Sequence, residues 1–189
     1  MSKAPGVFGS RGRPGLGVGI LLVAVVAVLL LTDAADDGDD DGGGGGSLGE
    51  PRAGSTASAT VLRVIDGDTV EVRLGGAVED VRYIGVDTPE SVAPGRPVEC
   101  FGEAAGELNR DLVEGEVVRL VFDEELRDRY GRLLAYVHAG PLFVNAELVR
   151  RGYARTLEIE PNTARADLFA RLEQRAGRAG RGLWGSCPA

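Results

Sequence analysis

Between Ala59 and Leu74 apolar residues recur at strand spacing on both sides of an Asp66-Gly67 turn: Val61, Val64 and Ile65 before it, then Val70, Val72 and Leu74 in strict alternation. Gly75-Gly76 predicts the next turn, and Asp80 to Val86 a third strand. From Phe101 to Val113 the period changes to that of a helix, with Phe101, Ala104, Ala105, Leu108 and Leu112 on one face and Gly115 as the stop. Val117 to Phe122 and Leu133 to Val137 read as two further strands around a charged loop, and Val144 to Gly152 and Arg165 to Ala179 as two more helices. Five short strands with a helix after the third predict an α+β domain: a five-stranded Greek-key barrel of the OB type with three helices.

The chain before Ala59 has no such pattern. Residues 1–13 are polar and carry Lys3, Arg11 and Arg13, and are expected to form a short cytoplasmic N-terminus. Pro14 to Thr32 is uncharged. As a helix, that run would span roughly 28 Å, enough to cross a hydrocarbon core. The expectation is an uncleaved membrane anchor; a cleaved signal peptide is the competing reading, since Thr32-Asp33-Ala34 only weakly resembles a processing site. Basic residues before the run and aspartates after it would keep the N-terminus inside and send the domain out. Residues 33–58, with an Asp cluster and five consecutive Gly, are expected to be a flexible tether, leaving 59–189 as one folded domain. Beyond Glu50, 22 acids face 18 bases. A domain of that balance is a poor passive polyanion binder, so chemistry on nucleic acid would require locally placed arginines or a metal.

Cys100 and Cys187 lack the spacing of a zinc site, and His138 is the only histidine that could assist one. Outside a membrane the even count suggests a Cys100–Cys187 disulfide; two free thiols are the alternative in a cytosolic protein. His138, at a strand end, reads as structural.

Candidate chemistry begins with two carboxylates. If strands two and three pair about a turn centred between Ala77 and Val78, Asp68 falls opposite Asp87, a like-charge pair that needs a counter-charge. A hard divalent cation would supply one. Arg82 and Asp87 lie an odd number of residues apart, and Gly85 is the candidate bulge that would bring them to one face. After strand three, "VDTPES" sets Glu90 beyond Pro89; "RDRYGRLLAY" sets Arg129, Tyr130 and Arg132 at the mouth of strand five.

In this order and spacing, "VIDGDTV", Arg82 followed by "DTPE", "YGRLLAY", "VNAELVRRGYA" and "GLW" resemble the staphylococcal nuclease (thermonuclease) family, from about Thr60 to Trp184. The resemblance implies an OB barrel with three helices and calcium-dependent hydrolysis of DNA and RNA phosphodiesters by a monomer. It implies Ca2+ ligands at Asp68, Asp87 and the Thr88 carbonyl, a general base at Glu90, transition-state arginines at Arg82 and Arg132, and nucleotide contacts at Arg129 and Tyr130. In one place the chain departs from the family: after "GYA" it reads "RTLEIEPN", and Glu158 and Glu160 are expected where the family carries aromatic residues near the nucleotide. A non-catalytic nuclease-like module and an envelope protein with purely structural calcium are the alternatives; neither accounts for Arg82, Arg132 and Glu90 together with both aspartates.

Overall fold

The computed structural model describes residues 51–91, 95 and 97–188. The anchor expected at 14–32 and most of the tether lie outside these residues; among the described residues no helix is long and apolar enough to cross a membrane. The chain runs β1 (Thr56–Asp66), β2 (Thr69–Leu74), β3 (Ala77–Tyr83), β4 (Val86–Asp87), α1 (Gly102–Val113), β5 (Val117–Val121), β6 (Leu133–Ala139), β7 (Leu142–Phe143), α2 (Val144–Arg151), β8 (Arg155–Thr156), α3 (Ala166–Arg178) and a single turn, α4 (Leu183–Ser186). Strands are hydrogen-bonded in the order β3-β2-β1-β5-β6-β7, and parallel pairing of Val81–Tyr83 with Leu133–Ala135 joins β3 to β6. Strands β1, β2, β3, β5 and β6 thus form a five-stranded closed barrel, which leaves no long strand edge exposed.

The alternating residues Val61, Val70, Val72, Val81, Leu120 and Val137 are buried as the pattern requires, with Leu148 of α2 and Phe169 of α3 in the same cluster. Two buried asparagines tie helices to the strand ends that carry the site. Asn109 of α1 donates to the Asp66 carbonyl at 3.0 Å and accepts from the Tyr83 hydroxyl at 3.0 Å. Asn145 of α2 donates to the Ile84 carbonyl at 2.9 Å and accepts the Val137 N–H at 2.9 Å.

Three expectations are corrected. The ordered strand begins at Thr56, inside the expected tether, because Thr56–Ser58 pair through their backbones with Arg119–Val121 even though their side chains are small or polar. The first hairpin turns at Gly67-Asp68, with Asp66 paired to Thr69, one residue later than expected. The second turns tightly at Gly75-Gly76, with Leu74 opposite Ala77, so Thr69 pairs with Arg82, and Tyr83 donates its N–H to the Asp68 carbonyl. Asp68 therefore lies opposite Tyr83; Asp87 belongs to β4, in a separate two-stranded sheet with β8.

Cys100 and Cys187 are bonded to each other across a sequence separation of 87, joining the start of α1 to the residues after α4.

Candidate active site

Asp68 and Asp87 meet although their strands do not pair. Gly85, at φ 79°, takes a left-handed conformation that turns the chain between β3 and β4, and the Phe169 ring lies where any side chain at this position would stand. The turn brings Asp87 back beside Arg82. Arg82 Nη2 lies 3.0 Å from Asp87 Oδ1 and 3.2 Å from Asp68 Oδ2. The other side of the guanidinium is fixed by backbone, Nη1 donating to the carbonyls of Tyr83 at 2.9 Å and Val86 at 2.6 Å. Arg82 and Asp68 are buried, with side chains 9% and 7% exposed, whereas the Asp87 side chain is 55% exposed and opens to solvent.

Thr88 completes this corner. Its N–H and hydroxyl both donate to Asp68 Oδ2, at 2.8 and 3.1 Å. Thr88 packs so tightly over the first hairpin that a Cβ on Gly67 would stand 2.7 Å from its hydroxyl oxygen, which accounts for glycine in "DGD". Behind it, Asp66 accepts from the Ser91 hydroxyl at 2.6 Å. Burial, with the charges of Asp68 and Glu90, pushes the Asp66 carboxyl up to about 6 against the Ser91 and Gly67 hydrogen bonds. Burial also raises Asp87, which Arg82 opposes and Asp68, Glu99 and Glu90 reinforce.

Glu90 is half-buried on the loop after β4. Its N–H donates to Glu99 Oε2 at 3.2 Å, and the Glu99 N–H donates to the Glu90 carbonyl at 2.8 Å, so Glu99 sets the backbone from which Glu90 projects.

Among the described residues no three His, Cys, Asp or Glu side chains converge tightly enough to ligate a metal by themselves. The available set is two carboxylates and a backbone carbonyl. These are hard oxygen donors, suited to a cation such as Ca2+ that completes its shell with water. Asp68 and Asp87 share one guanidinium, the charges of Glu90 and Glu99 act on Asp87 and those of Asp68 and Glu90 on Asp66, and two of these carboxyls are pushed up, the electrostatic condition that a divalent ion would relieve.

Arg82 also lines a cleft of about 440 Å3 with Asp128, Arg129, Tyr130, Arg132, Leu157 and others. Arg132 is oriented by Asp128, donating from Nε to Oδ2 at 2.7 Å, while Oδ1 accepts the N–H groups of Tyr130 and Arg132 at 2.9 and 3.0 Å. Tyr130 stands out in solvent, with the Arg129 and Arg132 guanidiniums 4.7 and 5.5 Å from its ring centre. The expected positions of Glu158 and Glu160 are corrected: Leu157 and Ile159 line the cleft, Glu158 lines a smaller pocket beside Gly85 and Phe169, and Glu160 is exposed. The extended backbone alternates its side chains, and reciprocal hydrogen bonds between Asn162 and the Glu125 backbone, at 2.7 and 2.9 Å, fix which set faces inward.

Sequence reasoning thus reached Asp68, Arg82, Asp87, Thr88 and Glu90 as one cluster, and Arg129, Tyr130 and Arg132 as the far wall of a cleft shared with Arg82. It missed Asp128, Glu99, Asp66, Leu157 and Ile159. For Asp128 a signal was available in the carboxylate four residues before Arg132, and for Leu157 and Ile159 in the alternation of "TLEIE".

Comparison with known proteins agrees with this geometry. Residues 80–186 match the family model described as staphylococcal nuclease homologue. The chain is 38% identical over 124 residues to the thermonuclease of Staphylococcus hyicus, covering 66% of this chain and 73% of that protein. It is 40% identical over 127 residues to the thermonuclease of Staphylococcus intermedius, covering 67% and 76%. It is also 41% identical over 129 residues to Endonuclease YncB of Bacillus subtilis strain 168, covering 67% of this chain and 61% of that protein. With the model match spanning more than half of its length and the two thermonucleases 38% and 40% identical over about two-thirds of it, the chain belongs to the staphylococcal nuclease family.

Proposed function

We propose that this protein is a calcium-dependent nuclease that hydrolyses phosphodiester bonds of DNA or RNA at the cleft between Asp87 and Arg132. One observation carries the reading: Arg82 is at once the ion-pair partner of Asp68 and Asp87 and a wall of the cleft that holds Arg132 and Tyr130, so an acidic corner and two guanidiniums serve a single space. Membership of a family whose relatives are named thermonuclease and endonuclease supports it.

Asp68, Asp87 and the Thr88 carbonyl would hold the calcium ion, which would supply Lewis-acid polarisation of a phosphoryl oxygen. The remaining work belongs to the chain. Negative charge accumulates on the non-bridging oxygens as the phosphorus is attacked, and planar guanidiniums match those oxygens with paired N–H donors. Backbone bonds to Nη1 fix the orientation of Arg82, and Asp128 fixes that of Arg132. Glu90 accepts the proton of the attacking water, from a backbone held by Glu99. Tyr130, flanked by Arg129, offers a ring face to a base, and Leu157 and Ile159 offer an apolar wall in place of further stacking.

Digestion of denatured plasmid by the purified protein, with calcium and then with excess chelator, tests the reading. Cleavage is expected only with calcium; binding without cleavage in calcium would make the domain a binding module, and equal cleavage in chelator would remove the metal from the reaction.

We further propose that residues 14–32 anchor the enzyme and hold its domain on the outer side of a membrane. Their lack of charge supports this, as does the Cys100–Cys187 disulfide, a bond that persists in oxidising compartments. Recovery of the protein in the soluble cytosolic fraction with reduced cysteines would refute it.

A further inference from the structure

Behind the acidic corner, away from Tyr130, is a second cavity, of about 220 Å3, lined by Asp87, Thr88, Glu99, Cys100, Arg155 and Cys187 among others. It shares Asp87 with the ion-pair cluster around Arg82, but neither Arg82 nor Arg132 lines it. Its cation is Arg155. In the antiparallel β4–β8 pair Asp87 is directly opposite Arg155, and directly opposed residues project to the same face of a ladder. Arg155 is therefore delivered by the backbone to the side of Asp87.

Among the described residues six arginines of the domain are neutralised and Arg155, like Arg129 on Tyr130, is not. Arg63, Arg82, Arg127, Arg132, Arg150 and Arg151 each form an ion pair with a carboxylate. Arg155 has no carboxylate ion pair among the described residues, although Asp87 and Glu99 line the same cavity; its guanidinium lies 4.4 Å from the ring centre of Trp184 and is exposed. A guanidinium stacked on an indole keeps its in-plane N–H donors for another acceptor. In a domain with more acids than bases, an arginine spared from neutralisation beside the metal corner is suited to an anion that arrives with the substrate.

We infer that Arg155, stacked on Trp184, forms a subsite for a phosphate adjacent to the scissile one, so that a nucleic-acid strand runs from the Arg82–Arg132 cleft past Asp87 into the Arg155 cavity. The inference rests on the nuclease reading and extends it: it makes this chain a reader of polynucleotides over single diesters. Asp87 and Glu99 repel phosphate in the same cavity, so the subsite works when the acidic corner is neutralised, and Arg155 acts on strand binding, not on the reacting atoms.

Two substrates separate the roles. A dinucleoside monophosphate presents one diester and no neighbouring phosphate, whereas a short single strand presents both. For Arg155→Ala in the full-length chain, KM for the strand is expected to rise about tenfold with kcat retained, the equivalent of one lost charged hydrogen-bond partner, while cleavage of the dinucleoside monophosphate is unchanged. A fluorescent single strand with phosphorothioate linkages, which resist hydrolysis, gives a reading independent of turnover. In calcium, the slope of its log binding constant against log salt should fall by about 0.7 in Arg155→Ala and stay at the wild-type value in Arg155→Lys. Arg73→Ala, four ladder positions from the Thr69–Arg82 pair, should leave that slope unchanged. An unaltered slope in Arg155→Ala, or equal loss on both substrates, would overturn the subsite and leave Arg155 as packing for Trp184. Wild-type cleavage of the dinucleoside monophosphate upholds the nuclease reading in either case; a wild type that cleaves neither substrate refutes that reading itself.

Discussion

Asp128 grips Arg132 by side chain and backbone together: one carboxylate oxygen takes the guanidinium Nε–H at 2.7 Å, and the other takes the Arg132 N–H at 3.0 Å. The arginine that faces the cleft is thus positioned by a residue four places before it. Asp128→Ala is expected to lower kcat by on the order of tenfold, and Arg132→Ala by on the order of a hundredfold. The double variant should be no slower than Arg132→Ala alone, because the aspartate acts through the arginine. Additive losses in steady-state kinetics would show that Asp128 has a separate task.

Asp68 separates metal binding from stability. The Thr88 N–H and the buried Arg82 guanidinium both depend on its carboxylate, so Asp68→Ala should destabilise the calcium-free protein by about 1–3 kcal/mol. Opposed aspartates alone would have made the substitution neutral or favourable. Asp68→Asn keeps an acceptor for the Thr88 N–H and should lose less stability, yet both variants should lose the rise in melting temperature that calcium gives the wild type. An undiminished calcium shift in Asp68→Asn would exclude Asp68 as a ligand.

Glu147, buried on α2, is held by Arg150 and Arg151, and those hydrogen bonds bring its carboxyl down to about 2 from an ordinary 4.5. Since the folded value is the lower one, the stabilisation is fully present above the unfolded value and is lost as pH falls from about 4.5 through 2. The two guanidiniums are 50% and 44% exposed, and solvent screening limits the effect to about 1 kcal/mol. Urea titrations should find Glu147→Gln less stable than wild type at pH 7 and level with it near pH 2. A gap that persists unchanged at low pH would assign the loss to packing.

Closing a loop of this length with Cys100–Cys187 should contribute about 2–4 kcal/mol, because the bond restricts the unfolded chain. Cys100→Ser and Cys187→Ser should lower the denaturation midpoint equally, and a reductant should lower that of the wild type to match. A midpoint insensitive to reductant would show that the bond contributes nothing to stability.

Alternation and helical spacing were sufficient to lay out the barrel, since Val70, Val72 and Val81 are buried where a two-residue period puts them. The proximity of Asp68 and Asp87 was legible too, but through the wrong contact. Pairing them across β2 and β3 required a wider turn than Gly75-Gly76 makes, and what joins them is the reversal at Gly85 with Arg82 between. Gly85 itself was legible, because the spacing of Arg82 and Asp87 demanded an irregularity there. Partners chosen by tertiary folding were not. Nothing local distinguishes Glu99 from its exposed neighbours until the chain doubles back to Glu90, and Leu157 was obscured by the more conspicuous charges beside it.

The cleft is assembled from Arg82 at the end of β3, the loop before β6, and Leu157 and Ile159 of the segment that Asn162 pins against Glu125. A nascent chain exposes Asp68 and Asp87 long before Leu157 and Ile159 have been synthesised, and it cannot close the barrel until β6 reaches β3. No translation product that ends before Leu157 therefore owns a complete cutting surface. Under the proposed function, a copy that short has no complete surface with which to cut the messenger RNA that encodes it, and the hazard of making such an enzyme begins only when the last wall of the cleft is in place.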